Sequence, residues 1–66
     1  MSEKEFFEDV RKSIGICLEK GMSYQAIANA VKVYVSTVYR WYNETAMPSA
    51  YAYAMLKELC ARKDAN

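Results

Sequence analysis

The chain has 66 residues and contains no histidine, one proline, two glycines and two cysteines. Each scarcity excludes something. Cys17 and Cys60 stand far apart with no CxxC pair and no imidazole, so four nitrogen or sulfur ligands for zinc cannot be gathered. The same lack removes the commonest general base, and neither thiol has a partner to activate it. With so little proline and glycine there is no room for a loop-rich fold, which favours long helices. No apolar run reaches the roughly 20 residues of a membrane-spanning helix. The opening "MSEKEFFEDV" lacks the basic start and apolar core of a signal peptide. The expectation is one cytoplasmic domain over residues 1–66, its thiols reduced and buried as small hydrophobes. It is too small for a large catalytic cleft. No enzyme, cofactor, membrane or small-molecule substrate is expected.

The net charge of +1 conceals a gradient. Residues 1–10 set Lys4 against Glu3, Glu5, Glu8 and Asp9. Residues 11–43 set Arg11, Lys12, Lys20, Lys32 and Arg40 against Glu19 alone. Residues 44–66 balance. The middle of the chain is the basic part, where an anionic partner would be met.

Ser2 with Glu5 is a capping box, and Phe6, Val10, Ile14 and Cys17/Leu18 recur at helical spacing up to Gly21, a left-handed stop. A first helix is predicted over 3–20. Ser23 caps a second over about 24–31, where Ile27, Ala28 and Val31 share a face. After the "NETAMPS" break, with Pro48 preceding or beginning the next element, "AYAYAMLKELCARK" forms a last helix. Its inward stripe is Ala52, Leu56 and Leu59.

Between the breaks lies "VYVSTVYRWY", residues 33–42, whose valines and aromatics are strand composition. A strand would alternate, yet the strong apolar positions after Val35 are Val38 and Trp41, a helical step. A lone strand would also leave its backbone unpaired. Period outweighs composition, and a helix over about 35–43 follows. The fold class is therefore all-α: a compact bundle of about four helices containing a helix-turn-helix. Val38 and Trp41 face inward, with Val33 as an apolar plug in the turn.

At this point "YQAIANAVKVYVSTVYRW…MPS" resembles the lambda-repressor/Cro-like helix-turn-helix family of small phage and bacterial regulators. Ala28 in helix 2, Val33 in the turn, Val38 with Trp41 in helix 3, and Pro48 carry the likeness over about residues 22–60. Two positions depart from the family's habit: Lys32 stands where glycine with positive φ is usual, and Tyr34 where Ser or Thr caps helix 3. The resemblance implies base reading by Val35, Ser36, Tyr39 and Arg40 in the major groove. It implies phosphate contacts from Ser23, Tyr24, Gln25, Lys32, Thr37 and Asn43. Arg40 alone has the fork for guanine O6/N7, and Val35 suits a thymine methyl. Tyr51, Tyr53 and Met55 cannot all face inward with Leu56 and Leu59, and aromatic and Met side chains favour interfaces, so they are dimer-interface candidates. The family's binding of twofold-related half-sites as dimers agrees.

The residues also admit plainer roles. Arg40 could contact only phosphate, Ser23 only cap its helix, and Tyr39 pack on its neighbours. Arg11, Lys12 and Lys20 could be solvated surface. Tyr51, Tyr53 and Met55 could simply cover helix 1. For the whole chain, the leading expectation is a sequence-specific double-stranded DNA-binding regulator, a small repressor occluding a promoter. Against it stand a protein-interaction module on the same scaffold (an antirepressor or antitoxin-like partner) and a recombination accessory protein.

Overall fold

The polar residues between the apolar stretches set the helix limits. The structure, a computed structural model, describes residues 2–62. It contains α1 (Glu3–Glu19), α2 (Tyr24–Val31), α3 (Val35–Tyr42) and α4 (Ala50–Ala61). The described residues include no strand. Ser2 Oγ accepts from the Glu5 N–H while the Glu5 carboxylate accepts from the Ser2 N–H, closing the capping box. Ser23 and Ser49 cap α2 and α4 by accepting from the N–H groups of Ala26 and Ala52. Pro48 is buried and lies one residue before the Ser49 cap, so it precedes the last helix and does not begin it. The end of the expected run, Lys63, lies outside the described residues; α4 itself stops at Ala61.

The C-terminal ends of α1, α2 and α3 use left-handed residues. Gly21 (φ 95) follows α1, and its N–H and that of Met22 satisfy the carbonyls of Leu18 and Cys17. Lys32 takes the same conformation after α2, at φ 61 and ψ 46. Glu44 does so after α3 (φ 62), where Glu44 and Thr45 donate to Trp41 and Arg40. For a side chain with a Cβ this geometry costs about 1–2 kcal/mol per residue. Glycine's larger unfolded-state entropy offsets part of that. Lys32→Gly is therefore expected to raise unfolding stability by about 0.5–1 kcal/mol, read by urea denaturation.

The segment of strand-like composition is helical, with Val38 fully buried and Trp41 2% exposed. They meet Val10, Ile14 and Cys17 of α1, Ile27, Ala28 and Val31 of α2, and Ala52, Leu56 and Leu59 of α4 in one core. Ala28 is fully buried in the same core. Burial also holds the Cys17 thiol above its ordinary pKa, with Cys60 adding to the effect, so it stays a neutral hydrophobe. Cys60 is only half-buried, against the expectation of two buried thiols.

α1 and α4 run parallel. Phe6 meets Tyr53 (ring centroids 4.8 Å apart), Asp9 and Ser13 meet Lys57, and Lys20 reaches Cys60 and Arg62. Parallel packing brings two negative helix ends together, and Lys20 Nζ answers this by donating to the Cys60 carbonyl at 2.7 Å and to the Arg62 carbonyl. Lys20, readable as solvated surface, is a cap on another helix. Midway, Tyr53 Oη donates to Asp9 Oδ2, and Lys57 Nζ donates to Asp9 Oδ1 at 3.1 Å and to Ser13 Oγ at 3.2 Å. Ser13 in turn donates to the Asp9 carbonyl, which explains how a serine is buried.

The Tyr53 hydrogen bond, against the cost of burial and with help from Lys57, holds the Asp9 carboxyl below its ordinary 3.8. A depressed carboxyl stabilises fully above its unfolded value and loses that contribution as acid carries the pH down through the folded one. Stability should therefore fall below about pH 4 more steeply in the wild type than in Asp9→Asn. The part due to this partly exposed clamp is about 0.5–1 kcal/mol, measured by denaturation at pH 7, 4 and 3.

Candidate nucleic-acid interface

α3 buries its Val38–Trp41 stripe, and its opposite face carries Ser36, Tyr39 and Arg40, all exposed, ending at exposed Asn43. Tyr34 opens the helix with 83% of its surface exposed and makes no side-chain cap. Val35 and Thr37 are half-buried, and Val35 leans on the core. An open concavity of about 530 Å³, lined by Lys32, Val33, Tyr34 and Thr37, sits where the turn enters α3. Lys32 is exposed at its rim. Among the described residues the ion pairs are Arg11–Glu44, Lys57–Asp9 and Arg62–Glu58. Neither Lys32 nor Arg40 takes part in them, so both cations of this face are free to meet an anion.

The residues opening α2 lie beside that face. Ser23 already accepts from Ala26 but keeps an exposed hydroxyl, and exposed Gln25 donates to Asn29 Oδ1 at 3.0 Å. Tyr24 behaves differently from the expectation of a simple surface contact. Its ring stacks on Tyr39 with centroids 4.3 Å apart and planes 23° from parallel. The edge of Tyr42 meets it at 6.1 Å and 85°. Arg11 of α1 lies 4.8 Å over the Tyr42 ring and pairs with Glu44 at 3.5 Å. Burial first, then Tyr42 and Tyr39, raises the Tyr24 hydroxyl's pKa, so at neutral pH it is a neutral donor. A row of four side chains from three helices thus ends at Tyr39, itself 47% exposed.

The structure brings Val35, Ser36, Tyr39, Arg40, Lys32, Thr37 and Asn43 onto or beside α3, with Ser23, Tyr24 and Gln25 at the head of α2. Arg11 joins them from α1, a residue that its sequence context left as ordinary surface. No local signal marks it, because its neighbour Tyr42 comes from the crossing of α1 and α3. The three residues on α4 divide. Tyr51 is 70% exposed, whereas Met55 is half-buried against the core. Tyr53 is engaged with Phe6 and Asp9, the role of covering helix 1. Nothing in this chain builds a metal centre from three or more His, Cys, Asp or Glu among the described residues. No helix of the described residues is long and apolar enough to cross a membrane. Comparison with the models of known protein families, with curated proteins and with solved structures finds no match to this chain.

Proposed function

We propose that this chain is a sequence-specific double-stranded DNA-binding regulator, a binding module and not an enzyme, that acts as a small Cro-like repressor. The observation that carries the reading is the exposed face of α3. Ser36, Tyr39 and Arg40 stand together on a helix that follows a tight turn, with no carboxylate paired to Arg40 or Lys32 among the described residues. A helix fits the major groove, and side chains at this spacing reach successive base edges. Arg40 donates to guanine O6/N7, Ser36 donates or accepts, and Tyr39 presents a hydroxyl. Val35 offers its remaining apolar surface to a thymine methyl. Lys32, Thr37, Asn43, Ser23 and Gln25 hold phosphates and fix the register. Repression follows from occupying a promoter. Two copies bind twofold-related half-sites about one helical turn apart. Tyr51 with the exposed part of Met55 meets the second copy, and Tyr53 does not.

Lys32 adds a specific argument. A residue held in a costly conformation beside a site, where glycine would be easier, is a mark of function at that side chain. Lys32→Gly, stabilising for the fold, should weaken DNA binding and flatten its salt dependence by about 0.9 in log–log slope, one phosphate contact.

The experiment is a fluorescence titration of a labelled duplex at 50 and 200 mM salt. DNA reading predicts a steep loss of affinity, since each neutralised phosphate contributes about 0.9 to the slope. The exposed rings of Tyr34 and Tyr51 favour the rival reading, a protein-interaction module. That reading predicts no such response and no duplex binding to begin with.

A further inference from the structure

Tyr39 stands on the reading face with half its surface in solvent, yet it is not a loose side chain. A ring stacked at 4.3 Å and nearly parallel to another has its χ angles restricted before any ligand arrives. The partner, Tyr24, is the first residue of α2, and it is fixed in turn by the edge of Tyr42. Tyr42 is covered by Arg11, and Arg11 is tied to Glu44. The row is anchored at one end by α1 and ends at the other in the Tyr39 hydroxyl. A surface side chain that must be ordered on binding lowers affinity; one ordered beforehand does not. A tyrosine whose only task was to touch a phosphate would need its hydroxyl, and would not need to lie flat against another ring.

We infer that Tyr24 is a positioning residue for base recognition: its ring, stacked on Tyr39, fixes the direction in which Tyr39 presents its hydroxyl to a base edge. This deepens the assignment of α3 as a DNA-reading helix and rests on it. It also replaces the phosphate role implied for Tyr24 by the family resemblance. The contribution is made by the aromatic face of Tyr24, with its hydroxyl dispensable.

The test compares the wild type with Tyr24→Phe, Tyr24→Leu and Tyr39→Leu. Each is titrated against a duplex selected by the wild type from a random library, and against that duplex changed one base pair at a time. Tyr39→Leu identifies the base pair that Tyr39 reads, as the one whose preference it abolishes. Tyr24→Phe should keep that preference, while Tyr24→Leu, which retains apolar bulk but no ring, should reduce it about 3- to 10-fold. The preference that depends on Arg40, and the salt slope, should not change. In the Tyr39→Leu background Tyr24→Leu should have no further effect at that base pair, the sign of a coupled pair. Thermal melts and the ring-current-shifted NMR signals of Tyr39, recorded without DNA, separate loss of the stack from loss of the fold. The inference is overturned if Tyr24→Phe weakens binding as much as Tyr24→Leu and flattens the salt slope, which would make the hydroxyl a phosphate ligand. It is equally overturned if Tyr24→Leu disrupts the stack by NMR yet leaves every base preference intact. A wild type that enriches no duplex removes the DNA reading itself. A wild type that enriches one, with Tyr24 variants indifferent, removes only the positioning role.

Discussion

Trp41→Ala should leave the domain unfolded or nearly so at 25 °C. The indole is 2% exposed and lies in the one core shared by all four helices. Cutting a core tryptophan to alanine costs about 3–5 kcal/mol, through lost burial and the cavity left behind. A single core in a chain this short seldom supplies more than about 3–5 kcal/mol in all. The two figures are of the same size, so the loss is not partial. Far-UV circular dichroism during urea titration would show the transition moving to the edge of, or below, zero denaturant. A variant that melts cooperatively near the wild type would put Trp41 outside the core and invert the faces of α3.

Arg40→Ala should do the reverse, leaving the fold intact and removing specific binding. The side chain is exposed and makes no ion pair or side-chain hydrogen bond among the described residues. Its carbonyl, which the substitution keeps, accepts from the N–H and hydroxyl of Thr45. Stability should therefore change by less than about 0.5 kcal/mol. A bidentate arginine–guanine pair contributes about 1–3 kcal/mol of discrimination, so affinity for the preferred site should fall about 5- to 150-fold. Preference should relax at one base pair only. If Arg40 instead meets phosphate, the loss is uniform across sequences and the salt slope falls by about 0.9. Arg40→Lys distinguishes the two again, because lysine replaces a point charge but not a fork.

The elements of the fold were legible because their signals are local. Ser2, Glu5, Ser23 and Gly21 mark helix ends through hydrogen bonds within a turn of the chain, and all act there. The helical step from Val38 to Trp41 overrode the strand propensity of their neighbours, since burial on one face decides the conformation. The left-handed Lys32 and the uncapped Tyr34 were legible too, as departures from a familiar turn. What was not legible depends on how helices cross. Glu44 takes a left-handed conformation with no glycine to announce it. The parallel pairing of α1 with α4 makes Asp9, Ser13, Tyr53 and Lys57 neighbours, and no sequence spacing encodes that. For the same reason Tyr53, a dimer candidate from composition, turns onto α1. Tyr24, for which the resemblance implies a phosphate contact, stacks on Tyr39, a pairing no sequence spacing encodes. Residue type located the candidate face, and tertiary contacts divided its members between scaffold and surface.

Whether the outer face of α3 reads duplex sequence is decided by selecting bound duplexes from a random library. A reading helix should enrich a palindrome whose half-sites lie about one helical turn apart, with the enrichment lost in Arg40→Ala. Failure of the folded wild type to enrich any sequence would contradict it and leave α3 as a surface for a protein partner.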